Sequence, residues 1–495
     1  MLNILFQKKI INYYGLTLIV VVIFSIFLFF LNLDKRDLSQ DIVQDSAFLK
    51  PIMQYHWKDV HEKRYWEISK NILDQNNWGT LIWEGRSYYN KGPVFFWLSA
   101  LMLKVTNGAH YAPRILSAVF SLGIIFLTYL LAKDIFNRKV AVWATVILAT
   151  SVHFVIASRE GTLDITFVFW GLASLYFYFK YQGNKHRSSF FIAMILLAVM
   201  GLTKSIFSVI PIALTYFVLD SKNVFSADIY RNITKWIFGI LILVIPLASW
   251  IGTQAYLYPQ YQREGVSFPR IFSDSQLNKS FFNTATTYEI VRYSGGKKYA
   301  AVCADSADTQ KICPEYDNPF FSLDELKKIS NILYYPFNIL EGFFPWSILL
   351  ILALLYNIWL AFKHKDPKLK NILFIFVVVA LMFILAFEKR VKWLVILYPF
   401  FAMFCANLVS GLLEDKPSRF LKFGFVASMI LFSTVLVPFN FQIWQFGIVF
   451  YALLFIVALS YIFTSNRIEK IFMGAIMTYF VSLSLIGAVY PVLLF

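Results

Sequence analysis

The chain has 495 residues, of which 58% are hydrophobic and 15% charged, with a formal net charge of +16 at pH 7. Globular proteins average about 45–50% apolar and about 25% charged residues, and here the apolar residues come in long unbroken runs, which excludes a soluble domain for most of the length. The basic excess lies mostly in short links between those runs, the pattern of cytoplasmic membrane loops, so a nucleic-acid partner is not expected.

In chain order, the apolar segment 13–31 follows Lys8 and Lys9 and has no small-residue cleavage site after it. It reads as a retained first transmembrane helix with a cytoplasmic N-terminus. Further candidate spans fall at 113–132, 139–157, 163–181, 189–203, 205–219, 236–255, 336–360, 371–387, 391–412, 421–438, 443–463 and 468–492. The links 133–139, 182–188, 220–235, 361–370, 413–422 and 464–470 are all basic, and simple alternation puts every one of them inside. The expected fold is an all-α polytopic membrane protein with about 13 spans, N-terminus inside and C-terminus outside. The apolar stretch Val94–Leu103 is too short to cross a bilayer and is expected to lie at the outer surface or dip into it. The short pair 189–203 and 205–219, interrupted by Gly201, Lys204 and Pro211, reads as a broken hairpin.

Two outer regions are too long to be turns, 32–112 and 256–335. In the first, Tyr65, Ile68 and Ile72 recur at helical spacing with polar residues opposite, an amphipathic helix suited to an interface. The second, rich in Tyr, Gly, Asp and Ser, has the length of a lid or a small packed domain. The chain thus divides into an N-terminal membrane module 1–255, an outer loop 256–335 and C-terminal helices 336–495. Cys405 lies in an apolar run, whereas Cys303 and Cys313 lie in the second loop, where an oxidising compartment would let them pair. Cysteine and histidine spacing gives no metal signature.

Charge that could carry chemistry is concentrated on the outer side. Asp59, His61, Glu62, Arg64 and Glu67 fall just before or on the amphipathic helix, and Lys91 precedes the apolar stretch. A solvated loop contacting lipid headgroups would look much the same. A carboxylate beside a lysine at a membrane surface is also what sugar transfer from a phospholipid requires, one to take the acceptor proton and one to neutralise the leaving phosphate. Asp164, at the outer mouth of two apolar runs, is expensive there unless used or paired; Arg159 and Glu160 are its nearest candidate partners in sequence. Lys204 either snorkels or binds an anion. Glu388, Lys389, Arg390 and Lys392 crowd one short outward link, where three basic residues favour an anionic ligand.

These segments, in this order, resemble the bacterial GT-C glycosyltransferases that transfer 4-amino-4-deoxyarabinose to lipid A and, more distantly, the protein O-mannosyltransferases. The resemblance runs from HEKRYWEISKNIL and YYNKGPVFFW through Arg114, Asp164 and Gly201-Leu202-x-Lys204. It continues over Pro345-Trp346-Ser347, Lys389, Trp393 and Tyr398-Pro399, covering roughly residues 55–400. It implies a GT-C-type fold with interfacial periplasmic helices in a bacterial inner membrane. It also implies that Glu62, Arg64 and Tyr65 stand in the family's Asp-Glu-x-Arg-Tyr pattern, with Lys91, Lys204 and Lys389 at basic positions near the donor phosphate and Asp164 at the second acid. Two departures matter: the family's leading Asp falls at His61, and Gly92 stands where a Pro follows the loop lysine.

The implied reaction is an inverting transfer from a polyprenyl-phosphate sugar to a lipid A, envelope-glycan or protein hydroxyl. Lys91, Arg64, Lys204 and Lys389 would hold the phosphate, and Asp59, Glu62 or His61 would act as base, with Asp164 orienting the acceptor. No glycine-rich nucleotide cradle is present in the sequence, and a divalent metal is neither required nor excluded. The rival readings are a lipid-linked substrate transporter, which would be expected to show two matching halves, and a surface-glycan polymerase or ligase.

Overall fold

The computed structural model describes residues 2–35, 61–88, 91–204, 208–224, 229–261, 335–336, 338–339, 342–343, 346–384 and 391–412. Asp59, Lys389, Cys303, Cys313, the spans expected at 421–438, 443–463 and 468–492, and nearly all of 256–335 lie outside the described residues.

Among the described residues the architecture is helical apart from one two-stranded hairpin. Helix α1 spans Leu2–Phe30, and α2 (His61–Asp74) leads to β1 (Ile82–Trp83) and β2 (Arg86–Ser87). Then come α3 (Val94–Val105), α4 (Ala112–Ile135), α5 (Arg138–Ala149), α6 (Val152–Ser158), α7 (Leu163–Asn184) and α8 (Arg187–Thr203). Next are α9 (Val209–Val224), α10 (Ile229–Tyr261), α11 (Ser347–His364) and α12 (Pro367–Ile384), and a 3-10 segment at Val391–Leu397 runs directly into α13 (Tyr398–Leu412).

Three stretches among the described residues are long and apolar enough to cross a bilayer: Ala112–Ile135, Asn232–Gln254 and Val391–Leu412. The pair α5 and α6 makes a fourth if its two halves count as one span. The chain is therefore multi-pass, with three or four such spans among the described residues; the expected count of about 13 includes spans that lie outside them. Burial separates centre from periphery. Val391–Leu412 is 94% buried, whereas Asn232–Gln254 is 28% buried and turns Ile237, Phe238, Leu241 and Ile245 outward. An outward apolar stripe on a spanning helix is the surface that lipid covers.

The expected continuous span 139–157 is broken. Its α5 and α6 halves meet at 68°, a bend that no proline or glycine announces. The Thr150 hydroxyl donates to the Val146 carbonyl at 2.7 Å and the Ser151 hydroxyl to the Ile147 carbonyl at 2.7 Å, competing with the helical ladder at the break. Trp346 fills the corner, its indole N–H donating to Thr150 Oγ1 at 2.9 Å. The span expected at 336–360 is also shifted: its regular helix begins at Ser347.

Over one end of the helices sits a small cap. Tyr65, Ile68 and Ile72 of α2 are buried against α3, where Phe95 and Phe96 meet Tyr65 edge-on at 5.8 and 5.4 Å. The apolar face of α2 thus packs on protein, a burial the amphipathic pattern alone does not distinguish from lipid contact. Helix α3, with 12 residues, reaches only about 18 Å and crosses nothing. The hairpin turns at Glu84 and Gly85, both with positive φ (50° and 75°), the geometry of a two-residue turn.

Candidate functional site

Three buried ion pairs converge where the cap meets the ends of α4, α6, α7 and α8. Glu62, in the first turn of α2, takes Arg114 Nε at 2.6 Å and Nη2 at 3.1 Å. The same carboxylate accepts the Gly161 backbone N–H at 2.8 Å, and Arg114 Nη1 donates to the Leu33 carbonyl at 2.7 Å. One carboxylate and one guanidinium therefore tie together α1, α2, α4 and the turn between α6 and α7.

That turn carries the other two pairs. Glu160 meets Lys392 of the 3-10 segment at 2.7 Å, and Asp164, in the first turn of α7, pairs with Lys204 at the end of α8. A carboxylate in the first turn of a helix is also favoured by the helix dipole. Lys204 lies 5.3 Å from the Phe167 ring and 5.8 Å from the Trp393 ring, so the 3-10 segment closes one side of the pair. Arg159, a candidate partner of Asp164 from its place in the sequence, instead donates to the Leu28 and Leu31 carbonyls at 2.6 and 2.8 Å.

The Lys91 loop is brought to the same place by Gly92. A Cβ at position 92 would stand 1.8 Å from the Leu202 carbonyl oxygen and 2.3 Å from its carbon, so backbone lies directly on backbone two residues before Lys204. This accounts for glycine, and not proline, after Lys91. Lys91 itself is half-buried.

The pairs differ in access. The side chains of Asp164 and Lys204 are each 11% exposed, against 1% and 5% for Arg114 and Glu62. Glu62 with its oxygens engaged holds the scaffold, and the Asp164–Lys204 pair is the more open of the two. Tyr65 is buried in the cap against α3, and His61 begins α2. Arg64 is buried against Trp83, its guanidinium carbon 4.0 Å from the ring centroid. Among the described residues no cluster of three or more His, Cys, Asp or Glu side chains is arranged to hold a metal ion. Each of the three site carboxylates already faces a base.

What the sequence order missed is the cross-pairing. Arg114 enters the sequence reading only through the resemblance, and Lys392 only as one of a basic group. Trp83 carried no signal beyond being aromatic.

Comparison with known proteins places this arrangement. Residues 90–250 match the family described as dolichyl-phosphate-mannose-protein mannosyltransferase. The crystal structure of ArnT from Cupriavidus metallidurans bound to undecaprenyl phosphate superposes with a TM-score of 0.57 at 15% identity, covering 96% of this chain and 75% of that one. An uncharacterized protein of Aquifex aeolicus (strain VF5) is 26% identical over 202 residues, 40% of this chain and 39% of its own length. An undecaprenyl phosphate-alpha-4-amino-4-deoxy-L-arabinose arabinosyl transferase of Pseudomonas savastanoi pv. phaseolicola (strain 1448A / Race 6) is 32% identical over 126 residues, 25% of this chain and 24% of its own length. The chain thus spans well under half of these two curated relatives. Fold and site together define a multi-pass, all-α membrane protein of the GT-C type. Within that class the chain is similar over 126 residues to an undecaprenyl-phosphate arabinosyl transferase and, over residues 90–250, to the protein mannosyltransferase family model.

Proposed function

We propose that the protein is a glycosyltransferase that moves a sugar from a polyprenyl-phosphate donor to a hydroxyl of lipid A, another envelope glycan or a protein, at the outer face of a bacterial inner membrane. The observation that carries this reading is the largely buried Asp164–Lys204 pair where the cap meets the helix ends, with the Lys91 loop pressed against Leu202 beside it. The activity for which the arabinosyl transferase relatives are named supports the same reading.

In the proposed step the acceptor oxygen attacks the anomeric carbon, the bond from that carbon to the phosphate oxygen breaks with its electron pair staying on that oxygen, and polyprenyl phosphate leaves. Lys91, Lys204, Arg64 and Lys389 offset the charge gathering on that phosphate, which is the largest electrostatic demand of the reaction. Asp164 orients the acceptor. The acceptor proton passes to Asp59 or His61; an imidazole with an ordinary pKa of about 6.5 is suited to that exchange. Glu62, already accepting from Arg114 and Gly161, fixes the start of α2 that carries His61. The lipid tail of the donor follows the outward apolar surface of the spanning helices.

The test uses the full chain in lipid nanodiscs with a radiolabelled undecaprenyl-phosphate sugar and a membrane acceptor extract. Release of undecaprenyl phosphate with label on an acceptor supports transfer. Movement of the intact donor across a proteoliposome bilayer, without bond cleavage, would overturn it.

A further inference from the structure

Arg64 stands apart from the other basic groups of the cap. It is 9% exposed, yet among the described residues its Nε has no hydrogen-bond partner and no carboxylate pairs with it. Its contact is the Trp83 ring, 4.0 Å from the guanidinium carbon to the centroid. A buried guanidinium without an acid is costly, and the attraction of an indole face returns only about 2 kcal/mol when desolvated. A site of this kind is built for an acceptor that arrives from outside.

Trp83 is itself held. Its indole N–H donates to Glu67 Oε2 at 3.1 Å, reaching back from the hairpin to α2. One turn further along, Asn71 Nδ2 donates to the Ile82 carbonyl at 2.9 Å, so the strand that carries Trp83 is fixed to the same helix face. Arg64 and Glu67 are three residues apart on α2 and therefore neighbours on its surface. The carboxylate that could have neutralised Arg64 spends an oxygen on the indole instead, and the ring it fixes covers one face of the guanidinium. Tyr88, edge-on to Trp83 at 6.5 Å and to Phe96 at 6.0 Å, backs the ring from the cap's core.

We infer that Trp83 and Glu67 are positioning residues that hold the Arg64 guanidinium, one face covered and its hydrogen-bonding edge free, for a phosphate group of the polyprenyl-phosphate substrate. The inference rests on the proposed donor and names the part of the cap that receives it. A planar guanidinium offers two parallel N–H groups to a phosphate, and stacking fixes the plane in which they lie. Glu67 acts only through the tryptophan: it sets the ring, and the ring sets Arg64.

The experiment measures binding of radiolabelled undecaprenyl phosphate to the full chain in phosphatidylcholine nanodiscs, with the thermal midpoint of each variant recorded alongside. Arg64→Ala is expected to weaken binding by about tenfold or more, the scale of a lost hydrogen bond to a charged group. Arg64→Lys does not restore it, because a point charge neither stacks nor forks. Glu67→Leu weakens binding several-fold, about the scale of one hydrogen bond, while Glu67→Gln keeps most of it, since its amide oxygen still accepts from the indole. Trp83→Phe, which has a ring but no N–H, matches Glu67→Leu, and the double variant is no weaker than either alone. Wild-type binding with undiminished affinity in Glu67→Leu and Trp83→Phe would remove the positioning role while leaving the donor reading intact. Failure of the wild-type chain to bind undecaprenyl phosphate at all would instead overturn the donor reading and this inference with it.

Discussion

Glu62 of α2 and Arg114 of α4 are joined by two hydrogen bonds, 2.6 and 3.1 Å long, across 52 residues of sequence and almost out of reach of solvent. Because the same two side chains also hold Gly161 and Leu33, the pair is the hinge-pin of the cap on the membrane helices. Replacing Arg114 with Met takes the guanidinium away from the buried Glu62 carboxylate, and breaking a buried ion pair from one side costs about 3–5 kcal/mol. A large drop in thermal midpoint is the expected result. Glu62→Gln loses less, since its amide oxygen still accepts from Arg114 and Gly161. Equal midpoints for Arg114→Met and the wild type would show that the cap is held elsewhere.

Gly92 has a sharper requirement. Any side chain there collides with the Leu202 backbone at 1.8 Å, and a backbone carbonyl cannot rotate aside as a side chain would. Gly92→Ala must therefore lift the Lys91 loop off α8 or displace the end of that helix with Lys204. We expect loss of transfer activity larger than the loss of stability, read by comparing turnover with thermal midpoint. Leu202→Ala leaves the same backbone in place and is expected to be milder. If Gly92→Ala turns over at the wild-type rate, Lys91 does not depend on this contact.

Asp164→Asn keeps the shape of the α7 start but removes its charge from Lys204. If Asp164 orients or deprotonates the acceptor, turnover falls by about 10²-fold or more, the usual scale for a positioned acid or base. Donor binding is expected to hold or tighten, because a negative charge that would repel a phosphate is removed from beside Lys204. The comparison of donor affinity with turnover separates this from simple unfolding, in which both would fall together.

How far the sequence reaches can be judged from Asp164. Its cost in an apolar setting flags it as paired or used, and the basic loops lead one to expect it on the outer side. Its partner does not follow. Arg159 and Glu160 are close in sequence, yet the turn at 159–162 aims them at α1 and at the 3-10 segment, and the base that meets Asp164 comes from α8. Helical periodicity reveals which face of α2 is apolar, but the face meets Phe95 and Phe96 and not lipid, a distinction that depends on where the chain returns. The bend after Ala149 escapes notice because serine and threonine produce it, and both are common in membrane helices without a bend. Local signals were legible; pairings between distant helices were not.

The last prediction concerns the other end of α7. Lys235, Asp220, Tyr181 and Trp236 form a buried polar knot: Lys235 Nζ donates to Asp220 Oδ2 and to the Tyr181 hydroxyl, each at 2.5 Å, and the Trp236 indole N–H reaches Asp220 at 2.9 Å. Tyr181 lies 17 residues beyond Asp164 on the same helix, about 25 Å away. The knot therefore joins α7, α9 and α10 without touching the site. Lys235→Met alone strands a carboxylate that is 1% exposed and is expected to cost about 3–5 kcal/mol. Adding Asp220→Leu removes the stranded charge, and apolar replacement of a whole buried pair is often neutral or better. The double variant is therefore expected to regain most of the thermal midpoint lost by the single one. Undecaprenyl-phosphate binding by the double variant should match the wild type, because the knot lies about 25 Å from Asp164 along α7. A double variant that regains its midpoint yet binds the donor poorly would mean that the knot sets the position of Asp164 through α7.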